Sequence, residues 1–399
     1  MTESYQQYEK CLKIAGINSP SLFIDLDRLD HNIQQLQAQV ANKALRLVVP
    51  SLPSLQLLSY ISERLNCSRF MCFHTPFILE LLEHFDEADI LMGKPLPTNS
   101  VEHIIKYLIK QQQQAKIGQI HWLVDDQSRA RQLLTLGRKY NICFKVAIEI
   151  DIGMKRGGVS DVEQLKNLQQ FICQNKKHLK LNGLMGYDGH VTKAPTPFVS
   201  RERVFQQSQH RYQQFVDALT PTADDFIFNG GGSATHTYHQ YSCINEVSVG
   251  SILLKPTCLE SANLAMYRGA CFIATQVLKR IPGIQMPLMP NKIQQWTKNF
   301  KHSVYLYGGR WPVKCAYPKL ISNCLYGLSS NQQQMLIDSD RPLEVDDFVF
   351  FRPKKIDAQL LALGDILVIR RHNQQVRVEQ SWSIMSQRKA KPVAARLNR

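Results

Sequence analysis

The chain has 399 residues, with 48 Lys and Arg against 33 Asp and Glu, a net charge of +15. Hydrophobic residues make up 44% and charged residues 20%, proportions of an ordinary folded protein that exclude wholesale disorder. No run of 18 apolar residues is present, which predicts no membrane span, and the polar start Met1-Thr2-Glu3-Ser4-Tyr5 carries no apolar leader segment. Ten cysteines stand at irregular spacing without a CxxC pair, so reduced thiols and a cytoplasmic location are expected.

Taken in chain order, an apolar run at 22–26 reads as a strand, followed by a helix for which Asp27 is the expected N-cap. Eight further strand-like runs follow, at 45–49, 70–73, 90–92, 120–124, 144–150, 181–185, 226–228 and 246–249. Amphipathic helical patterns lie between most of them, for example at 101–113, 127–140, 162–175 and 204–219. Strands alternating with helices imply parallel crossovers, and eight such units match an α/β fold of the (β/α)8 TIM-barrel type. An open doubly wound sheet is the alternative, but its glycine fingerprint near the first strand is missing. After Lys255 the pattern changes. Runs at 271–277, 303–307, 348–352, 360–369 and 376–381 read as strands without intervening helices, a separate C-terminal β-rich domain expected to be joined by the N-terminal strand. The Pro-rich stretch 281–290 reads as a loop. The expected division is therefore 1–20 as a segment packing with the C-terminal domain, 21–260 as the barrel, 261–385 as the β-rich domain and 386–399 as a basic tail. Arg388, Lys389, Lys391, Arg396 and Arg399 supply that tail's charge, read as solvated rather than as a nucleic-acid contact.

Active sites of such barrels lie at the C-terminal ends of the strands. That rule selects Pro50-Ser51, His74, Lys94, Asp125-Asp126, 151–156, 187–190, 229–235 and Gly250-Ser251. The strongest local signal is Asn229-Gly230-Gly231-Gly232-Ser233-Ala234-Thr235 after the seventh strand. Its three glycines let backbone N–H groups converge on an anion, and Ser233 and Thr235 add hydroxyls, which suits a phosphate seat. Arg156 suits a carboxylate or a cofactor oxygen, or else pairs with Asp151 for structure. His190 suits proton shuttling and Tyr187 suits stacking on a planar ligand, although each also fits a packing role.

Taken together, Ser21-Leu22-Phe23-Ile24-Asp25-Leu26-Asp27, Ile148-Glu149-Ile150-Asp151-Ile152-Gly153-Met154 with Arg156, Gly183-Leu184-Met185-Gly186-Tyr187-Asp188-Gly189-His190 and Asn229-Gly230-Gly231-Gly232-Ser233 resemble the fold-type III pyridoxal-phosphate enzymes. The resemblance is to the branch of D-threonine aldolases and D-serine dehydratases, related to alanine racemase. It implies an amino-acid racemase, aldolase or dehydratase with pyridoxal 5'-phosphate at the barrel mouth. The cofactor would be held by Arg156, Tyr187, Asn229, Gly230, Gly231, Gly232, Ser233 and Thr235, with His190 beside the ring. It also implies a homodimer acting on a small amino acid or phosphorylated ligand.

One departure changes that expectation. In the family the first barrel strand ends in a lysine that forms a Schiff base with the cofactor, and here Pro50 stands at that position. Proline offers no amine, so any bound cofactor is expected to be held non-covalently. Lys94, at the end of the third barrel strand, is the candidate for a relocated catalytic amine; Lys155 and Lys193 lie in longer loops. The branch also carries a His-x-Cys metal pair where this chain reads Pro353-Lys354-Lys355-Ile356-Asp357, so no metal site is expected. His372 reads as a surface residue. The competing reading is a non-catalytic relative that binds the cofactor or another phosphorylated ligand, or a silent partner of an active homologue.

Overall fold

The computed structural model describes residues 2–40, 42–195, 198–219, 226–283, 302–323, 327–337, 342–373 and 375–385. The basic tail and most of the Pro-rich stretch fall outside the described residues. The chain opens with helix α1 (Thr2–Ile14), strand β1 (Ser21–Asp25) and helix α2 (Leu26–Gln39). Eight strands then close a parallel barrel: β2 (Ala44–Val48), β3 (Arg69–Cys72), β4 (Asp89–Met92), β5 (Ile120–Val124), β6 (Phe144–Glu149), β7 (Leu179–Gly186), β8 (Ile227–Gly230) and β9 (Glu246–Val249). Closure comes from the pairing of β2 with β9, Ala44 to Leu47 opposite Glu246 to Val249. This is the expected TIM barrel. Its strands are readable as apolar runs because a parallel sheet covered by helices buries both faces, as in the fully buried β5 and β9.

The helices between the strands are α3 (Leu55–Leu65), α4 (Thr75–His84), α5 (Thr98–Lys110), α6 (Gln127–Tyr140), α7 (Val162–Gln174) and α8 (Arg201–Ala218). Their starts are set by side-chain caps. Ser54, Asp126, Asp161 and Ser200 accept from Leu57, Arg129, Gln164 and Arg203 N–H groups, each cap stabilising its helix by about 1 kcal/mol. At the start of α2 the cap differs from the expected Asp27. Asp25 Oδ1 accepts from Arg28 N at 3.1 Å, whereas Asp27 Oδ2 accepts from Arg371 N at 3.0 Å. The helix begins one residue earlier than the apolar pattern suggests, which moves the capping role back to the end of β1.

The barrel interior carries an ion network at the N-terminal ends of the strands, with Arg46 and Glu246 buried and Asp89 partly exposed. Arg46 donates from Nε and Nη2 to the two Glu246 oxygens at 2.6 and 2.8 Å, and from Nη1 to Asp89 Oδ1 at 2.8 Å and Phe70 O at 3.1 Å. It thus ties β2 to β9 and reaches across the interior to β3 and β4. Burial opposes the Asp89 charge, but the hydrogen bond from His121 (3.1 Å) and the Arg46 charge outweigh it and hold the carboxyl well below the usual range. Asn229 on β8 extends the network, donating from Nδ2 to Glu246 Oε1 and Ser248 Oγ at 2.8 Å each.

Residues 1–34 and 252–384 form a second compact unit. Its nine-stranded sheet takes in β1 together with β10 (Cys271–Pro282), β11 (His302–Tyr307), β12 (Val313–Tyr317), β13 (Leu320–Ser322), β14 (Gln332–Ile337), β15 (Phe348–Pro353), β16 (Ile366–His372) and β17 (Gln375–Trp382). β1 pairs antiparallel with β10 and parallel with β16, so the N-terminal strand joins this sheet, as expected, although the bounds 21–260 count it with the barrel. The core of the unit is aromatic. Tyr5 and Tyr8 of α1 pack among Phe23, Phe272, Phe348 and Phe350. The stretch 360–369, expected as one strand, splits into helix α9 (Asp357–Ala362) and β16, because Gly364 turns the chain at φ +79°. β10 runs on through Ile281 and Pro282, into the segment expected as a loop. Lys255 is buried, with Nζ donating to Leu264 O at 2.8 Å and Tyr267 O at 2.6 Å, and burial lowers its pKa. His372 is half exposed and pairs with Glu379 at 2.7 Å.

Removing Arg46 strands two carboxylates. Arg46→Met is expected to cost roughly 3–5 kcal/mol in urea unfolding, and an unchanged midpoint would contradict the network's role. Asp89 titrates lower folded than unfolded, so its contribution is full above its unfolded pKa and fades as pH falls below about 4. Asp89→Asn should therefore flatten the loss of stability between neutral pH and pH 3, read by thermal melts across that range.

Candidate functional site at the barrel mouth

β2 ends at Val48 and runs directly into a single 3-10 turn, Val49–Ser51, closed by Leu52 N donating to Val49 O at 2.8 Å. Pro50 sits in this turn, where its fixed φ suits the tight start and its missing N–H is not needed. The neighbouring Ser51 is buried against Gly250 of the last barrel strand's exit. A Cβ on Gly250 would come within 3.0 Å of Ser51 Cβ and 2.8 Å of Val48 O. Gly250 N in turn donates to Ser233 Oγ at 3.2 Å. Pro50 therefore stands on the same arc of the rim as the glycine loop.

In that loop the strand continues through Asn229 and Gly230, one turn further than the apolar run suggests. The Asn229 side chain is committed to Glu246 and Ser248 inside the barrel rather than to the rim. Gly231 takes φ +71°, a conformation in which a side chain would also press on His239 and Val247 at 3.1 Å. Gly232 lies under the Tyr187 ring, at 3.1 Å from a built Cβ, and its carbonyl accepts from Thr235 N and His236 N at 3.0 and 2.9 Å. The Thr235 hydroxyl donates to Asp188 Oδ1 at 2.7 Å, and His239 Nε2 lies 2.7 Å from Asp188 Oδ2. All three side chains are buried. Asp188 thus braces the segment that follows the glycines at two points, Thr235 and His239. His236, donating from Nδ1 to Ser233 O at 3.2 Å, is pushed down to about 4 by burial and stays neutral.

Around this loop the structure gathers several of the residues expected there. The Arg156 guanidinium carbon lies 5.3 Å from the Tyr187 ring centroid. Asp151 is not its partner: Asp151 Oδ1 accepts from Gly153 N and Lys155 N at 3.0 Å each, so the carboxylate shapes the loop and leaves the exposed Arg156 available to an anion. Burial raises the Tyr187 pKa, with Asp188 adding and Arg156 opposing. His190 packs against Gly153, where a Cβ would stand 2.8 Å from Nε2, and this nitrogen is 3.0 Å from Ser208 Oγ. Ser208 also lies 3.0 Å from Val204 O, so when its one proton serves that carbonyl His190 donates from Nε2 and is left with a bare Nδ1 lone pair. Nδ1 is buried without a partner among the described residues, and burial lowers the His190 pKa. Lys94 is exposed after β4, and burial together with the Lys94 charge lowers the pKa of His74. Lys155 and Lys193 are likewise exposed.

Residues 24–257 match the model of the family described as alanine racemase, N-terminal domain. The chain belongs to that family. Three solved structures share its fold. D-threonine aldolase from Filomicrobium marinum superposes with a TM-score of 0.71 at 16% identity, covering 92% of this chain and 95% of that one. D-threo-3-hydroxyaspartate dehydratase from Delftia sp. HT23 gives 0.71 at 16%, covering 92% and 97%. Alanine racemase from Clostridium difficile 630 gives 0.67 at 16%, covering 91% and 98%. Among curated proteins, the lysine racemase of Oenococcus oeni is 23% identical over 110 residues, 28% of this chain and 28% of that enzyme. The fold-type III resemblance drawn from the motifs is thereby shown. No helix among the described residues is long and apolar enough to cross a membrane. Asp188 falls within the strand-end positions 187–190 but carries no role in the motifs, and His236 and His239 lie outside them. Asp188 lay inside a quoted motif, but nothing in a sequence tells that its carboxylate faces Thr235 from 47 positions away.

Removing the brace exposes its worth. Asp188→Ala leaves a buried hydroxyl and a buried imidazole without their acceptor and is expected to cost about 3 kcal/mol. Amide exchange at Gly231 to Ser233 in this alanine racemase family member should quicken well beyond the global loss; uniform quickening would mean the carboxylate does not act on the loop.

Proposed function

We propose that this family member is a racemase-, aldolase- or dehydratase-type barrel that takes pyridoxal 5'-phosphate, or another small phosphorylated ligand, at its mouth without a covalent lysine link. The observation that carries the reading is the 3-10 turn at Val49–Ser51, which puts an imino acid on the same arc of the rim as an intact anion loop. The donor set fits a phosphate. Gly231 and Gly232 leave room for backbone approach, Ser233 adds a hydroxyl, and Arg156 supplies an exposed charge. Tyr187, lying across Gly189 and Gly232, presents a ring face for a planar ligand and shields the loop from water. His190, with its pKa lowered by burial, would accept a proton at Nδ1 when Nε2 carries the hydrogen toward Ser208. The covalent anchor is missing, and the buried Asn229 and Thr235 side chains are committed to Glu246, Ser248 and Asp188, which leaves the backbone, Ser233 and Arg156 as the donors. When bound, the cofactor's ring supplies an electron sink; every other role falls to the chain's own residues. A homodimer and an amino-acid ligand complete the proposal on family grounds.

The test is pyridoxal phosphate titrated into the purified chain, followed by borohydride and peptide mass mapping. Reversible binding with no lysine carrying the reduced cofactor is expected, with the affinity falling about tenfold in Arg156→Gln. A fixed cofactor on Lys94 would instead restore a relocated covalent mechanism. Pro50→Lys should gain the covalent adduct; failure of both the parent and this variant to bind any cofactor would sink the proposal.

A further inference from the structure

We propose that the β-rich unit holds a second small-molecule site, for a zwitterion of net negative charge, of the chemical class of an acidic α-amino acid. The site is a cavity of about 460 Å³ lined by Tyr8, Asp25, Asp27, Arg28, Arg268 and Arg371, together with Ser4. That volume lies in the range of small-molecule pockets. All of these residues belong to one unit, and the inference does not rest on the barrel-mouth reading.

The argument is charge complementarity. Asp25 and Arg28 are framework. Asp25 accepts from the Tyr8 hydroxyl and from Arg28 N at 3.1 Å, and its Oδ2 lies 3.3 Å from Arg28 Nε. Arg28 further donates to Gly269 O at 3.2 Å and lies over the Phe272 ring at 5.3 Å. Their charges cancel, and the Tyr8 phenol, pushed up by burial and by Asp25, keeps its proton. Three charges remain. Asp27 accepts one backbone N–H, from Arg371, but forms no ion pair among the described residues. The guanidinium groups of Arg268 and Arg371 meet no carboxylate among them either. The cavity therefore presents two uncompensated cations and one uncompensated anion. A bare phosphate would meet both arginines but leave Asp27 opposing it; a neutral ligand would compensate nothing. A molecule with two carboxylates and one ammonium answers all three, with each guanidinium offering a fork to a carboxylate and Asp27 an acceptor to the ammonium.

The experiment is calorimetric titration of the full chain with aspartate and glutamate, both enantiomers, against succinate and inorganic phosphate as probes lacking the ammonium. One site for an acidic amino acid is expected, at least about tenfold tighter than for succinate. Arg268→Gln and Arg371→Gln should each weaken it about tenfold or more without lowering the melting temperature, because both side chains are exposed and form no ion pair among the described residues. Asp27→Asn should weaken aspartate and glutamate while leaving succinate unchanged or tighter. Ser233→Ala, in the barrel loop, should leave this binding untouched, which separates it from any failure at the barrel mouth. Equal affinity for succinate and the amino acids would overturn the assignment. So would no binding up to about 10 mM, or binding that survives the double arginine variant.

Discussion

A single buried guanidinium organises the barrel. Arg46 is fully buried, and its fork on Glu246 joins the first barrel strand to the last at the seam where the cylinder must close. Burying such charges is costly, so the arrangement is stable only because every donor is met by Glu246, Asp89 or a carbonyl. The same carboxylate takes the Asn229 amide, one residue before the glycines begin. The ion pair that closes the barrel thus also sets where β8 ends and where the loop at its mouth starts.

Above that plug the rim is a scaffold with one part exchanged. Asp188 braces Thr235 and His239, Ser233 reaches Gly250, and Tyr187 covers Gly232. Such buried, fully met polar contacts hold a loop in one shape, which is what anion binding by backbone N–H groups requires. Against this order, the residue at the end of β2 has no amine at all. The proposal of ligand retention without covalent attachment rests on that contrast between a braced glycine loop and a proline after β2.

The β-rich unit follows different physics. Its core is a cluster of aromatic rings from α1, β1, β10 and β15, with Tyr5 and Tyr317 stacked at 5.1 Å and Phe23 against Phe272 at 5.2 Å. Large rings bury much area for little side-chain entropy, which lets a sheet with several short strands hold together. The first 34 residues belong here because β1 finds its partners in β10 and β16, more than 240 positions away.

The sequence by itself determined the barrel, its eight strand positions and the place of the glycine run after the seventh of them, since apolar runs of strand length and amphipathic spacing are local properties that survive without neighbours. It also exposed Pro50, because a missing amine is a fact of composition. Only tertiary structure decided that Asp25 rather than Asp27 caps α2, that Asn229 turns inward, that Asp151 shapes a loop instead of pairing with Arg156, and that Lys94 lies beside His74. Asp27 takes Arg371 N, 344 positions away, and Asn229 takes Glu246, 17 away, whereas Asp25 and Asp151 take N–H groups two to four residues on; which donor meets which acceptor is decided by how the chain turns in three dimensions, not by residue type.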